Sequence, residues 1–331
     1  MSSRSRAIGA FGLIAALLLA TPSPLSAQTR DAKMDMAVSI LKGPSGIAAA
    51  WLMSDPPAIP GAALTFSTAS GADLVTAKLL SGEIDVAVLP INLAAKLYNS
   101  GARIRAVAVV GGGMVRFLTS DPSLNSPADL RGKSIAIAGQ KATPDYLFRF
   151  LMDREGLKAQ EDYTASYNLA YPEAAAALAA GRISQAVLPE PFATQALLLA
   201  PGLRSPIDLD SLWTAATGLK GYPMSLLVVS SILADSNPKG LRIFLDAYRA
   251  SVAKTVAQPE ATGKLAESLD LGMKAAIAAA AIPKSNYKFE EMAEARPELE
   301  GLLGIFLGYE PASIGGKLPD SGFYASIPAR P

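Results

Sequence analysis

Short apolar segments alternate with helical segments along most of this sequence, and this alternation is the feature that most constrains its fold. Residues 104–110 and 134–138 are almost entirely apolar and lie between turn-forming residues. Strands that are apolar on both faces are typical of a parallel sheet covered by helices on both sides. The pattern therefore predicts an α/β fold. The other predicted strands are 35–41, 63–69, 84–89, 114–120, 163–169, 185–188 and 222–231.

The pattern of strands and helices restarts near residue 114, which indicates two similar α/β units in series. Open parallel sheets bind ligands at the carboxyl ends of their strands, so the cleft between two such units is the expected ligand site. Two unrelated α/β domains without a shared cleft are the alternative. The predicted helices are 44–53, 70–80, 90–98, 143–151, 172–180, 238–256, 259–269, one that begins within 189–192, and one around Ile277.

The N-terminus has the composition of an export signal. Arg4 and Arg6 precede an apolar stretch of 13 residues, 8–20, and Ala27 stands before the polar Gln28. This order predicts a secretory signal peptide, residues 1–27, that is cleaved on export to the periplasm. The stretch is shorter than the roughly 20 residues that a membrane span needs, and an uncleaved membrane anchor is the alternative.

The chain contains no cysteine and no histidine, and both absences exclude kinds of site. A lipid anchor on an N-terminal cysteine and disulfide bonds are excluded. Ser-His-Asp triads, Cys–His pairs and structural zinc sites with Cys or His ligands are excluded as well. With 30 basic and 29 acidic residues, the chain has no marked excess of positive charge, so no nucleic-acid partner is expected. Carboxylates, lysines and tyrosines could still serve in acid–base chemistry.

Four segments resemble motifs of a known family. The most specific is NSPADLRGKSIA at 125–136, which resembles the family's S-x-x-D-L-[KR]-G-K-x-[IV]-[AG] entry into a second lobe. GEIDVAV at 82–88 resembles the end of its third strand, and GRISQA at 181–186 resembles that motif again, with Gln185 where the family often has Asp. LPEPF at 188–192 resembles its E-P helix start. Through these motifs the chain resembles type II periplasmic solute-binding proteins of ABC importers, in the group for nitrate, sulfonate or taurine, and thiamine precursors.

The resemblance implies a two-lobed fold with parallel-dominated sheets and a ligand cleft between the lobes. It implies that lobe one comprises 33–116 plus 224–331, that lobe two comprises 117–223, and that hinge crossings lie near 116–118 and 222–224. It also implies a monomeric receptor rather than an enzyme, without a cofactor or metal. Such a receptor would capture a small sulfonate, vitamin precursor or aromatic heterocycle by lobe closure, and deliver it to a permease with its ATPase subunit.

Several junctions between a strand and the following helix carry small, amide or hydroxyl residues. Free N–H groups and the dipole at a helix N-terminus attract an anion or a polar group, and glycine or serine lets a ligand approach the backbone. Helix capping alone explains the same residue types and is the alternative. The candidate ligand-binding residues at these junctions are Ser45, Gly46, Thr68, Ser70, Gly71, Pro90, Asn92, Lys141 and Thr143.

Three further candidates lie near predicted lobe edges. Phe192 and Tyr222 are candidates because an aromatic ligand could stack on their rings. Glu190 could accept a hydrogen bond from a ligand amine, or could serve only the dipole of the helix that follows it. Lys141 could be a solvated charge instead of a ligand contact, and Arg116 could pair with a carboxylate at the crossing.

Two other classes of function stay open at this stage. Some relatives on this fold synthesise a thiamine pyrimidine, but they depend on histidine and cysteine residues that this chain lacks. An enzyme of another kind on the same fold, such as a small-molecule lyase or dehydratase, is one alternative. A periplasmic partner of a sensor is the other.

Overall fold

The computed structural model describes residues 35–325. The predicted signal peptide at 1–27 lies outside these residues. Within the described range, no helix has both the length and the apolar character needed to cross a membrane. The ten strands are β1 Met36–Leu41, β2 Leu64–Ala69, β3 Val86–Pro90, β4 Ile104–Gly112, β5 Val115–Thr119, β6 Ser134–Ile137, β7 Thr164–Ser166, β8 Gln185–Pro189, β9 Pro223–Ser230 and β10 Glu290–Glu291.

These strands form two open sheets. The six-stranded sheet has the order β10-β4-β9-β3-β1-β2, and the four-stranded sheet has the order β5-β8-β6-β7. In the first sheet β1, β2, β3 and β4 run in one direction, and β9 and β10 oppose them. In the second sheet β6, β7 and β8 are parallel and β5 opposes them. The predicted two-lobed α/β fold with parallel-dominated sheets is therefore confirmed.

Helices cover both sheets. Proline lies in the first turn of α1, α4, α5, α9 and α10 as defined below, where its missing N–H would have no partner within the helix. The helices are α1 Pro44–Ser54, α2 Ala72–Leu80, α3 Ile91–Asn99, α4 Thr143–Arg154, α5 Tyr171–Ala179, α6 Phe192–Leu199, α7 Leu209–Thr217, α8 Ser231–Ser236, α9 Pro238–Ala257, α10 Pro259–Ser268, α11 Ala275–Ala281 and α12 Met292–Tyr309.

We call the four-stranded sheet with α4 to α7 the four-stranded lobe, and the six-stranded sheet with the other helices the six-stranded lobe. The structure differs from the sequence-based expectations mainly in four elements. Three helices, α7, α8 and α12, have no counterpart among the predicted elements. The predicted strand 163–169 is reduced to β7, an edge strand that pairs with β6 alone. The strand β7 ends directly before Tyr167, whose hydroxyl donates to Asp145 Oδ1 at 2.9 Å.

The chain passes between the lobes at the end of β4 and again at the start of β9, and these two points lie side by side because Gly112 pairs with Pro223. Gly111 and Gly112 belong to β4, so the sheet extends up to the first passage. A Cβ on Gly113 would lie 3.1 Å from Asp210 Oδ1, so the third glycine is closely packed. The lobe and hinge boundaries implied by the family resemblance stay a prediction.

Side chains cross-link the two passages. Arg116 Nη1 donates to Asp210 Oδ2 at 2.7 Å, and its Nη2 donates to the carbonyl of Lys284 at 3.2 Å. The hydroxyl of Tyr222 donates to Asp210 Oδ1 at 2.9 Å and accepts a bond from Val115 N at 3.4 Å. Burial raises the pKa of Tyr222 well above its usual value, so this hydroxyl stays protonated and keeps its donor.

Glu190 is a buried carboxyl between β8 and α6. It is 1% exposed, and its Oε2 accepts a bond from the backbone N–H of Thr194 at 2.9 Å. Its Oε1 has no hydrogen-bond partner among residues 35–325. Burial raises the pKa of Glu190, and the bonds from Thr194 oppose this effect in part. The ionised form of Glu190 is therefore a cost to the folded state.

We expect Glu190→Gln to raise the melting temperature at pH 8 by about 1–3 °C and to have a smaller effect at pH 4. A carboxyl with a higher pKa in the folded chain holds more protons there than in the unfolded chain. Stability therefore falls as pH rises from the unfolded pKa through the folded pKa. Glutamine keeps an acceptor for Thr194 and cannot ionise, so it avoids this loss.

Calorimetry of both proteins at the two pH values checks this expectation. A gain of equal size at pH 4 and pH 8 would contradict the electrostatic cause, and a loss at both values would contradict the prediction itself.

Candidate functional site

A cleft of about 520 Å³ lies between the two sheets and takes its walls from both lobes. Its residues lie at the carboxyl ends of β1, β3 and β8 and at the starts of the helices that follow the strands. Ligands of open α/β sheets bind at these ends. The six-stranded lobe supplies Leu41, Lys42, Gly43, Pro44, Ser45, Ser70, Ala72, Leu89, Pro90, Met224, Ser225 and Gly272, and the four-stranded lobe with its connection supplies Met114, Ala142, Thr143, Pro144, Ala170, Tyr171, Pro172, Pro189 and Phe192.

Helix N-termini point into this cleft without side-chain caps. The first residues or N-caps of α1, α2, α3 and α4 line it, and none of these four helices has a side-chain hydrogen bond at its N-cap. The N-cap of α5 also lines it, but there Glu173 accepts a bond from the N–H of Ala170 at 3.1 Å. In contrast, Asp208, Ser230 and Asn237 cap α7, α8 and α9, whose N-termini do not line the cleft. Uncapped N–H groups and the positive ends of the helix dipoles favour a hydrogen-bond acceptor or an anion in the cleft.

Thr143, the first residue of α4, carries a buried hydroxyl in the cleft wall. The residue is 2% exposed, and its Oγ1 has no hydrogen-bond partner within the described chain. A buried hydroxyl without a partner costs about 1–3 kcal/mol, so a ligand acceptor at this position would recover that free energy. Ser45, Ser70 and Ser225 add further hydroxyl groups to the lining.

Lys42 is the one charged side chain among the described residues that line the cleft. Its ammonium forms an ion pair with Asp270, which lies outside the lining. A Cβ on Gly272 would lie 3.3 Å from Cβ of Lys42, so the small residue leaves room for the lysine stem. No carboxylate side chain is part of the described lining, and the charge of the site is therefore neutral to positive.

One wall of the cleft is apolar and aromatic. The rings of Tyr171 and Phe192 stack at a centroid distance of 5.5 Å with an interplanar angle of 20°, and Met114 and Met224 complete the wall. Gly139 has φ +82°, and a Cβ there would collide with the hydroxyl of Tyr171. Burial raises the pKa of Tyr171 to about 12, so its hydroxyl is protonated at neutral pH.

Five of the sequence-predicted site residues line the cleft together, and three more lie close by. Gly46 is buried in the first turn of α1, Gly71 is the N-cap of α2, and Thr68 is exposed in β2. None of these three is among the lining residues. The five that line the cleft are Ser45, Ser70, Pro90, Thr143 and Phe192.

The other four predicted residues have partners within the protein. Asn92 and Lys141 bond to each other across the lobes. Glu190 lies behind the cleft and binds the N-terminus of α6, which is the dipole role and not a ligand contact. Tyr222 is 1% exposed and bonds Asp210 at the chain crossing.

Sequence reasoning missed several lining residues. Lys42 directly follows the end of β1 and precedes Gly43, so its position at a strand end was the available signal. Gly272 and Ser225 come from distant parts of the chain, and no local pattern marks them.

Within residues 35–325, no group of three or more acidic, histidine or cysteine side chains is placed to hold a metal ion. The polar groups of the cleft are donors from hydroxyls, one lysine and helix N-termini. These groups can bind an acceptor, and they offer no pair of carboxylates for acid–base chemistry.

Solved structures with the same fold cover nearly the whole chain. An ABC transporter protein from Parabacteroides distasonis is 30% identical, has a TM-score of 0.77, and is matched over 89% of this chain and 99% of its own. The periplasmic aliphatic sulphonate binding protein SsuA from Escherichia coli is 18% identical, with a TM-score of 0.74 over 90% and 94% of the two chains. The alkanesulfonate-binding SsuA from Xanthomonas axonopodis pv. citri is 18% identical, with a TM-score of 0.63 over 87% and 95%. Among curated proteins the comparison found no match.

A family-level comparison agrees with the motifs. The sequence model of the NMT1-like family matches residues 32–270, which include all four motif segments. The suspected relationship to periplasmic binding proteins of ABC importers is thereby confirmed. On this match and on the Parabacteroides distasonis structure, the chain belongs to the NMT1-like family.

Proposed function

We propose that this protein is the extracytoplasmic substrate-binding component of an ABC importer. It captures a small organic solute between its lobes and delivers it to a membrane permease and its ATPase subunit. Family membership supports this role, and so does the fold shared with a periplasmic aliphatic sulphonate binding protein. The proposal includes export to the periplasm through the predicted signal peptide, and closure about hinges near 116–118 and 222–224.

The buried hydroxyl of Thr143 carries the proposal for the ligand. It is a donor without a partner, in a cleft where the four uncapped helix N-termini of α1 to α4 also favour an acceptor. We therefore expect a ligand with a polar or anionic head that lies against α4. A polyamine or another dense cation has no carboxylate to bind in this lining.

The rest of the cleft favours an apolar body on the ligand. Tyr171, Phe192 and the two methionines add apolar and aromatic surface to the same lining as the polar groups. A cleft of about 520 Å³ lies within the range of about 300–1,000 Å³ for sites that bind organic ligands. An inorganic anion alone would leave most of this surface without a contact, so an organic sulfonate, a vitamin precursor or an aromatic acid fits better.

A thermal-shift screen of residues 28–331 tests the ligand class. We expect an aromatic sulfonate or aromatic acid to raise the melting temperature in a concentration-dependent way, since a ligand that binds only the folded state adds about 2.7 kcal/mol at 100 times its Kd. Thr143→Val should weaken the binding of such a ligand about 10- to 100-fold, because loss of one hydrogen bond to a charged group costs about 1.5–3 kcal/mol.

Thr76→Val is the matched control for Thr143→Val. Thr76 also carries a buried hydroxyl without a hydrogen-bond partner, but it lies on α2 outside the lining. Equal losses of affinity in both variants would count against the assigned site. A response to nitrate that equals the response to the organic anions would count against an apolar ligand body.

Uptake in the producing bacterium tests the partner. Deletion of the neighbouring permease is expected to abolish uptake of the ligand found in the screen, and deletion of the gene for this protein should have the same effect. Uptake that persists without the permease, while the purified protein converts or simply holds the solute, would favour an enzyme or a sensor partner. Radiolabelled solute and whole cells provide the measurement.

A further inference from the structure

The connection from β6 to α4 is held in an unusual conformation next to the ligand cleft. Lys141 has φ +60°, in the left-handed region that side-chain-bearing residues adopt rarely. The next three residues, Ala142, Thr143 and Pro144, all line the cleft. The conformation at Lys141 therefore decides where the hydroxyl of Thr143 and the N-terminus of α4 lie.

Two side chains of the six-stranded lobe bind Lys141, which belongs to the four-stranded lobe. Nδ2 of Asn92, in the first turn of α3, donates to the carbonyl oxygen of Lys141 at 3.1 Å. Glu310, directly after α12, accepts a bond from Nζ of Lys141 on its Oε1 at 3.0 Å. The backbone and the side chain of Lys141 are thus both fixed from across the cleft.

The four-stranded lobe supplies the remaining support. Asp145 Oδ2 accepts a bond from the backbone N–H of Lys141 at 2.9 Å. Asp145 is 1% exposed and is itself held by Arg149 and by the hydroxyl of Tyr167. The N–H group, the carbonyl and the ammonium of Lys141 therefore all have a partner, and two of these three partners come from the other lobe.

We propose that Asn92 and Glu310 are positioning residues for the ligand site. By holding Lys141 from the other lobe, they place Thr143 and the start of α4 correctly only when the two lobes are in register. This inference rests on the proposed function of the cleft. It assigns Asn92 and Lys141 a role that differs from direct ligand contact. It also makes ligand affinity depend on residues that do not line the cleft.

Asn92→Leu tests the buried contact. Oδ1 of Asn92 has no hydrogen-bond partner among the described residues, so leucine of similar size removes the bond to Lys141 and leaves no buried amide behind. We expect the backbone amides of residues 141–146 to exchange with deuterium about tenfold faster in the ligand-free variant. The melting temperature should stay within about 2 °C, because the same substitution removes an unpaired polar atom.

Glu310→Gln tests the charged contact, and Glu161→Gln is its matched control. Both substitutions break a lysine–glutamate pair whose lysine is largely exposed, but the pair of Lys158 with Glu161 lies within one lobe. Because an exposed pair contributes little, we expect two- to threefold faster exchange at 141–146 for Glu310→Gln and no change for Glu161→Gln. The double variant Lys141→Glu with Glu310→Lys, in which the two charges are swapped, should restore slow deuterium exchange at 141–146.

Titration with benzenesulfonate gives the second readout. A loss of affinity of about tenfold in Asn92→Leu, with the melting temperature kept, is the expected result. Unchanged exchange at 141–146 in both Asn92→Leu and Glu310→Gln would overturn the inference, whatever the ligand. If the unaltered protein binds no organic anion but the variants exchange faster as expected, the proposed ligand class fails while the positioning contacts stand.

Discussion

The pairing of β4 with β9 is the constraint on which the two-lobed arrangement depends. It brings Gly112 beside Pro223, so that the chain leaves and re-enters the six-stranded sheet at one place. Arg116, Asp210 and Tyr222 then bond across the two passages with distances of 2.7 and 2.9 Å. Since Tyr222 also accepts the N–H of Val115, loss of this hydroxyl would leave a buried donor without a partner. The lobes are therefore joined by a small polar network and not by a loose glycine linker.

This junction determines which strand ends and helix N-termini face the cleft. With the two sheets joined at one side, the carboxyl ends of β1 and β3 face the end of β8, and the helices that follow begin at the cleft. In the cleft the N-termini of α1, α2, α3 and α4 lack side-chain caps, whereas α7, α8 and α9 are capped by Asp208, Ser230 and Asn237. Serine and aspartate cap a helix because their side-chain oxygens accept bonds from its first N–H groups. The uncapped cleft helices lack such an acceptor, so their first N–H groups are available to a ligand.

Sequence reasoning recovered the parts of this protein that local patterns determine. Apolar runs and first-turn prolines predicted most strands and helices, and the strand-end rule found Ser45, Ser70, Pro90 and Thr143 in the cleft. It failed where position depends on distant contacts. Tyr222 and Glu190 lie near lobe edges in the sequence, but packing buries both. The hydroxyl of Tyr222 and Oε2 of Glu190 bond within the protein, and Oε1 of Glu190 has no partner among residues 35–325.

The helix α12 shows a different reason for failure. Pro297 lies inside this helix, and Gly301, Gly304 and Gly308 follow it, so its local propensity is poor. The helix forms because Leu299, Leu302, Leu303 and Phe306 are fully buried against the rest of the core. Here tertiary packing overrides propensity, and the spacing of these four residues at i, i+3, i+4 and i+7 is the local signal that could have predicted the helix.

An aromatic series connects the chain crossing with α12 and limits how the lobes can move. Tyr222 contacts Trp213 at 5.4 Å between ring centroids, Trp213 contacts Phe150 at 5.9 Å, and Phe150 contacts Tyr309 at 6.5 Å. Nearby, the buried ring of Tyr146 packs 4.8 Å from Phe306. Exposing one such side chain costs about 1.5–3 kcal/mol.

The contact of α4 with α12 keeps the start of α4, with Lys141 and Thr143, close to the six-stranded lobe, where Asn92 and Glu310 hold it. On the aromatic side of the lining, Phe192 packs against Tyr171 and against the core of the six-stranded lobe. The polar and the aromatic parts of the cleft are therefore both supported by contacts between the lobes, so a change in the register of the lobes would alter both parts of the ligand site together.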